Sequence, residues 1–469
     1  MRTLAVALIA MTAAPAIAAP ATDPMAAAAM LRDRALAANP AYSIVAGLTT
    51  EIGPRLAATP PEARARDWVA ARMTALGLTN VHIQTYAVPH WERGVETATT
   101  IGANPQRLIL TALGASGATP VAGIDADVVQ FADLDALKAS PAGSLKGKIV
   151  YLDHAMKAAQ DGSSYGAFNA IRTAGPAIAA SKGAAAYLHR SLATGPARLP
   201  HTGVTRWPDG VTPIAAAALS VPDAMQLTRM IASGPVRLHL VVTPKRFAPG
   251  VSGNVIGEIT GTDLPREVVL VGGHLDSWDL GTGAIDDAAG VAITLGAAST
   301  IVAAIHDGTL PPPRRTIRVV AFGDEESAGP LGGATYLKGH PGDTVVVTAE
   351  SDFGADRVWS LRAKTGNPAA VAALARVLAP LGIAASPLPA HGGTDVEAAD
   401  EAGAAVIDLV QDGTHYFDLH HSADDTLDKI DPAQMTQNVA AWSAMLWWAA
   451  NTSGELRPKP GGSGPAGTP

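Results

Sequence analysis

The sequence predicts an α/β protein, and three observations carry that prediction. Short β-branched runs recur along the chain, Ala-rich stretches with helical spacing alternate with them, and four runs of the second half each end in acids or histidines. Val268 to Val271, set between charged and Gly-rich segments, reads as a buried parallel strand running into His274 and Asp276. Thr316 to Phe322 leads into Asp324, Glu325 and Glu326; Val345 to Thr348 into Glu350 and Asp352; Ala404 to Val410 into His420 and His421. Open α/β sheets bind ligands at the carboxyl ends of their strands, so these distant residues are expected to meet in one crevice.

Composition bounds the function. The 469 residues exceed one comfortable core, which favours two domains. A net charge of −8 without a basic patch argues against nucleic acid as a partner. Arg2, the apolar Leu4 to Met11 and Ala16-Ile17-Ala18 read as a signal peptide over 1–18, so the mature protein is expected to be exported, to the periplasm or the medium. That apolar middle falls short of the roughly 20 residues that span a bilayer. No later stretch reads as long and apolar enough either, so no membrane association is expected. The chain has no cysteine, hence no disulfide, no thiol nucleophile and no thiolate metal site. A metal here must be held by histidines and carboxylates.

Taken in order, Met25 to Ala38 reads as a helix. Thr59-Pro60-Pro61-Glu62 has capping-box form ahead of a second helix that keeps Ala65, Trp68, Val69, Met73 and Leu76 in phase and closes at Gly77. Val81 to Val88 alternates like a strand. Residues 24–106 are expected to form the first part of the domain that carries these acids and histidines, and 246–452 its second part. Between them, 107–245 differs in texture and lacks acidic clusters: a strand at Gly147 to Leu152, a helix at Tyr165 to Lys182, a strand at Ala184 to His189, a helix at Pro222 to Ser233 and a strand at Val236 to Thr243. It is expected to be an inserted module. The Gly-, Pro- and Ser-rich tail, 453–469, is expected to be disordered.

The acids and histidines suit two divalent ions. His-Glu-x-x-His is absent, which excludes a helical zincin. With one bridging carboxylate, each metal can take one histidine and one acid and keep room for water, an arrangement suited to hydrolysis. Neighbouring side chains of an extended segment point opposite ways, so one histidine of His420-His421 should face the metals and the other should not. The same holds for Glu325 and Glu326. Residue chemistry alone leaves open which member of each pair, and which of Asp286 and Asp287, is the ligand.

GGHLDSWD, GAIDDAAG, FGDEESAG, ESDFG and HHSADDT, in this order and spacing, resemble the co-catalytic di-zinc exopeptidases, a family that takes in secreted bacterial aminopeptidases and carboxypeptidase Q-like enzymes. The resemblance is strong over 246–450 and moderate over 40–95; 107–245 is similar to the protease-associated domain inserted in many members. It implies a zinc-exopeptidase-type mixed sheet flanked by helices. It implies two Zn2+, with His274 and Asp352 on one, Glu326 and His421 on the other, and Asp286 bridging. It further implies Glu325 as general base and Asp276 as the carboxylate that holds the His274 tautomer. Relatives of the carboxypeptidase Q type pair, so a homodimer is an open expectation.

The reading is an exported zinc exopeptidase acting on terminal bonds of peptides or dipeptides, of aminopeptidase or dipeptidase type. The alternatives are a one-zinc enzyme of the glutaminyl-cyclase kind and a catalytically dead peptidase fold that binds. Gly162-Ser163-Ser164-Tyr165-Gly166 matches the nucleophile elbow of serine hydrolases, but no strand is expected before it. His415 and Tyr416 are candidates for lining the substrate pocket.

Overall fold

The computed structural model describes residues 23–459; the signal-peptide reading of 1–18 lies outside them. Two eight-stranded sheets organise the chain. The first has the spatial order Thr79–Val88, Gly250–Ile259, Arg315–Phe322, Leu264–His274, Thr344–Glu350, Ala405–Gln411, Val358–Lys364 and Ala384–Ala385. Its four central strands, 315–322, 264–274, 344–350 and 405–411, are mutually parallel, and they are the four whose ends carry the acids and histidines. The antiparallel neighbours 250–259 and 358–364 flank them, so the sheet is mixed.

Both faces of this sheet are covered, which accounts for the unbroken apolar runs. Val269 and Val271 pack toward the helices Ala289–His306 and Pro432–Asn451, whereas Val268 and Leu270 pack toward Tyr336, Val396 and Ala399. The stretch Ala284–His306 is long and apolar enough to cross a membrane by length and composition, contrary to the expectation from sequence, and it is mostly buried, as a helix of the core. Its approach to the sheet depends on Gly290, where a Cβ would collide with the Ser351 carbonyl oxygen.

The helix Pro60–Ala75 starts with proline as expected, but the capping box does not form. The Thr59 hydroxyl donates to the Leu56 carbonyl, and Glu62 turns inward to Arg66 and Ser252.

The second sheet runs in the order 107–108, 96–101, 237–242, 124–131, 149–152, 186–190, 215–219 and 110–112. Buried clusters of its own line it, among them Ile149, Leu188, Leu238 and Leu240 on one side and Val150, Tyr187 and Ala216 on the other. Its lower boundary is not 107. Glu96–Ile101 pairs along Arg237–Val242, because its alternation buries Ala98 and Thr100 against this sheet and not the first. A short ribbon of Trp91–Glu92 with Lys245–Arg246 stands where the chain enters and leaves. The expected helix over 165–182 is broken into Ser163–Thr173 and Gly175–Ser181 at Gly175-Pro176. No strand precedes Ser163, which opens a helix after a loop.

The tail expectation is corrected for 453–459. Leu456 is buried in the first core, its carbonyl accepts from Gly366 N–H, and Arg457 donates to the Gly403 and Ala402 carbonyls. Residues 460–469 lie outside the described chain.

Candidate metal centre

Four strand ends build the site. His274 closes Leu264–His274 and is 1% exposed. Its Nε2 lies 3.0 Å from Asp286 Oδ1 and 3.5 Å from Asp352 Oδ1. On the far side, His421 Nε2 stands 3.3 Å from Asp286 Oδ2 and 3.0 Å from Glu326 Oε2. Asp286 therefore offers one oxygen to each histidine. Asp287 is turned to the backbone, accepting from His274 N–H at 3.1 Å and Gly290 N–H at 2.8 Å, so it secures the start of the buried helix.

Two expectations drawn from sequence need correction. Asp276 faces the His274 ring with its main chain: Nδ1 lies 2.9 Å from the Asp276 carbonyl oxygen and 3.7 Å from the carboxylate. The Asp276 carboxylate instead accepts from Glu325 N–H (3.1 Å) and Glu326 N–H (3.3 Å), fixing the turn that presents both glutamates. His420 and His421 do not point opposite ways. They stack with ring centroids 3.5 Å apart, because the one-turn helix Tyr416–Leu419 and a positive φ at His421 replace the extended segment assumed. His420 Nε2 is 3.8 Å from Asp286 Oδ2, while His421 comes closer and also reaches Glu326.

The electrostatics call for cations. Asp286 Oδ2, Glu326 Oε1 and Asp352 Oδ1 are buried without hydrogen-bond donors, a costly state for carboxylate oxygens. Burial, and then the neighbouring Asp286, pushes the Glu326 carboxyl well above its ordinary range; burial raises Glu325 to about 7. Burial, with His420 beside it, holds His421 well below the usual imidazole value, so the ring is neutral and has a lone pair to give. His274, Asp286 and Asp352 converge as one donor group, and Asp286, His420 and His421 as another. Donor chemistry and unpaired oxygens together fit divalent ions.

Of the supporting residues, Arg55 carried no signal in the sequence, whereas Asp425 lies inside the HHSADDT motif. Arg55 is fully buried and donates to the carbonyls of Leu275, Thr282 and Gly283, tying the loop after His274 to the segment before Asp286. Asp425 accepts from Ile285 N–H at 2.6 Å. Trp278 Nε1 donates to Glu326 Oε2 at 2.6 Å; it lies inside the GGHLDSWD motif and was there to be found.

The second sheet completes the site. Thr202 N–H donates to the His421 carbonyl at 2.9 Å, and the Thr202 carbonyl oxygen lies 3.2 Å from His421 Nδ1. A cavity of about 360 Å³ opens between the two bodies, with Asp286, Glu325, Glu326 and Asp352 on one wall and Tyr165, Arg172 and Arg206 on the other. Tyr416 lines it as expected; His415 does not, and its side chain is 73% exposed.

A mixed sheet with a two-lobed cluster of carboxylates and histidines at its carboxyl edge is the frame of a metallo-exopeptidase. The chain belongs to peptidase family M28, whose model matches residues 254–446. It is 34% identical to carboxypeptidase Q of Bos taurus over 90% of this chain and 88% of that protein. Among solved structures it superposes on a peptidase M28 precursor from Shewanella amazonensis SB2B with a TM-score of 0.88 and 41% identity, covering 93% of this chain and 99% of that one. An aminopeptidase from Aneurinibacillus sp. strain AM-1 shares the fold, with a TM-score of 0.61 at 20% identity, over 92% of this chain and 98% of that one.

Proposed function

We propose that the protein is a two-zinc exopeptidase of aminopeptidase or dipeptidase type, with His274 and Asp352 on one ion, Glu326 and His421 on the other, and Asp286 shared. The observation that carries this reading is the Asp286 carboxylate, set between His274 at 3.0 Å and His421 at 3.3 Å with a buried oxygen that lacks a donor. When bound, a zinc pair supplies Lewis-acid polarisation of the scissile carbonyl and an acidified water. Glu325 lines the cavity and has its carboxyl raised to about 7, which suits a group that accepts the water's proton and returns it to the leaving amine. The carboxylate wall also suits a protonated peptide amino terminus, and this supports action at that end.

The same reading makes the body built on the second sheet a protease-associated domain that shapes the substrate cavity. It makes the protein an exported one, on the strength of Arg2, Leu4 to Met11 and Ala16-Ile17-Ala18. Pairing into a homodimer, which rests on the family resemblance alone, is tested by sedimentation. The deciding experiment is elemental analysis of protein purified without chelator, beside hydrolysis of free and end-blocked dipeptides. Two zinc per chain with cleavage only of peptides bearing a free amino end is expected. A single tight metal, or cleavage of amino-blocked peptides alone, would overturn the reading.

A further inference from the structure

Away from the metal centre, two histidines from different elements meet at the surface of the first body. His82 lies on Thr79–Val88, the strand at one edge of the first sheet, and is exposed. His340 caps the carboxyl end of the helix Leu331–Gly339 and is half-buried. Their ring centroids are 6.2 Å apart, with the planes inclined at 43°. Among the described residues each ring makes one hydrogen bond, and it does so through Nδ1: His82 to the Asn80 carbonyl oxygen at 2.7 Å, His340 to the Tyr336 carbonyl oxygen at 2.8 Å. Asn80 sits at a φ of +51°, where the pairing of this strand with Gly250–Ile259 slips, and the bulge brings its carbonyl to the ring.

A carbonyl oxygen can only accept, so Nδ1 carries the proton and Nε2 of the neutral ring keeps its lone pair. Metal-bound histidines are commonly fixed in this way, with the second nitrogen donating to a carbonyl. The scaffold under the pair is also fixed. The Tyr336 ring stacks on His340 with centroids 4.4 Å apart, and Gln84, on the same face of the strand as His82, donates to the Thr335 carbonyl at 3.0 Å. The carboxyl end of a helix carries partial negative charge, which favours a cation there.

The spacing decides which ion fits. With metal–nitrogen bonds of about 2.0–2.1 Å, two imidazoles on one ion place their ring centres about 5.2 Å apart at a tetrahedral angle and about 6.4 Å apart when they stand opposite one another. The observed 6.2 Å matches the second arrangement, which suits a tetragonal ion and not tetrahedral zinc. Copper(II) has that geometry and binds nitrogen donors more tightly than nickel or zinc.

We propose that His82 and His340 form a surface site for copper(II), held between their Nε2 atoms with water in the remaining positions. The ion clips the edge strand to the end of the helix. Two protein donors make this a weaker site than the centre built from four strand ends, and a separate one.

The test titrates copper(II) into protein already loaded with zinc, followed by calorimetry and by electron paramagnetic resonance. One copper per chain should bind without release of zinc and show hyperfine structure from two imidazole nitrogens. His82→Asn and His340→Gln should each weaken that binding by at least about tenfold, since each removes one of two donors. Zinc content and peptidase activity should stay at wild type in both, because neither residue lines the catalytic cavity. No copper beyond the zinc, or copper binding of full strength in His82→Asn, would overturn the proposal. Copper that enters by displacing zinc and ignores both substitutions would overturn it too, by placing the ion in the other centre. Should His340→Gln fail to fold, the exposed His82 decides alone. The copper count is read apart from the zinc count, so a failure of the two-zinc reading leaves this test intact.

Discussion

The two sheets meet at one cavity and bring opposite charge to it. The first contributes Glu325, Glu326 and Asp352 from just past the ends of parallel strands and Asp286 from the turn that opens the helix Ala289–His306; the second contributes Arg172 from a helix and the Thr202 carbonyl from a loop. On the first sheet the chemistry follows from topology, since every parallel strand delivers its last residues to the same edge. On the second it follows from docking, and nothing local to Arg172 announces that it will face His421.

The largest expected effect tests the division of labour on the acidic wall. Glu325→Gln should lower activity by about 10²–10⁴-fold while zinc content and melting temperature stay near wild type, as measured by steady-state kinetics, elemental analysis and calorimetry. Glu326→Gln should shed metal along with activity. If both substitutions spare zinc, or both lose it, the wall does not divide into base and ligand.

A second break concerns the stacked histidines. His421→Ala should lose about one zinc per chain, because its Nε2 reaches both Asp286 and Glu326. His420→Ala should keep both ions. The reverse result would exchange their roles.

Next in size is Trp278→Phe, which preserves the ring against the second core but removes the donor to Glu326. Zinc affinity, read by competition with a chromophoric chelator, should weaken by about 10–100-fold. An unchanged affinity would mean that the indole serves packing alone.

The smallest effect bears on where the second body begins. A fragment of residues 90–247 should outlast one of 107–245 in urea by at least about 2 kcal/mol, since the shorter fragment lacks Glu96–Ile101 and leaves Arg237–Val242 at an open edge. Equal stability would return the boundary to 107.

These contrasts also mark what could be read from residues alone. The four strands that end in acids and histidines were legible because a short, unbroken β-branched run suits a strand buried on both faces far better than a helix or a half-exposed strand. The boundary was not, because ETATTI alternates in a way that suits either sheet and only pairing with 237–242 decides. The expectation of opposed histidines failed on backbone conformation: φ of −45° at His420 and +61° at His421 put both rings on one side, a turn the letters HHS do not disclose. Asp276 was placed correctly beside His274, yet it acts there through its carbonyl, since its carboxylate is taken up by two backbone N–H groups. Leu456 shows that a Gly- and Pro-rich composition does not prevent one large apolar residue from anchoring a tail.

The clasp between Thr202 and His421 has a kinetic meaning. One residue, Thr202, steadies a proposed metal ligand's ring by its carbonyl and that ligand's main chain by its N–H, so His421 cannot swing free until the two bodies part. Loss of the ion and opening of the interface then become one event with one barrier. The off-rate of the metal held by His421 should rise and fall with any condition that loosens the interface, and the ion becomes a clock for how often the two halves of the protein let go of each other.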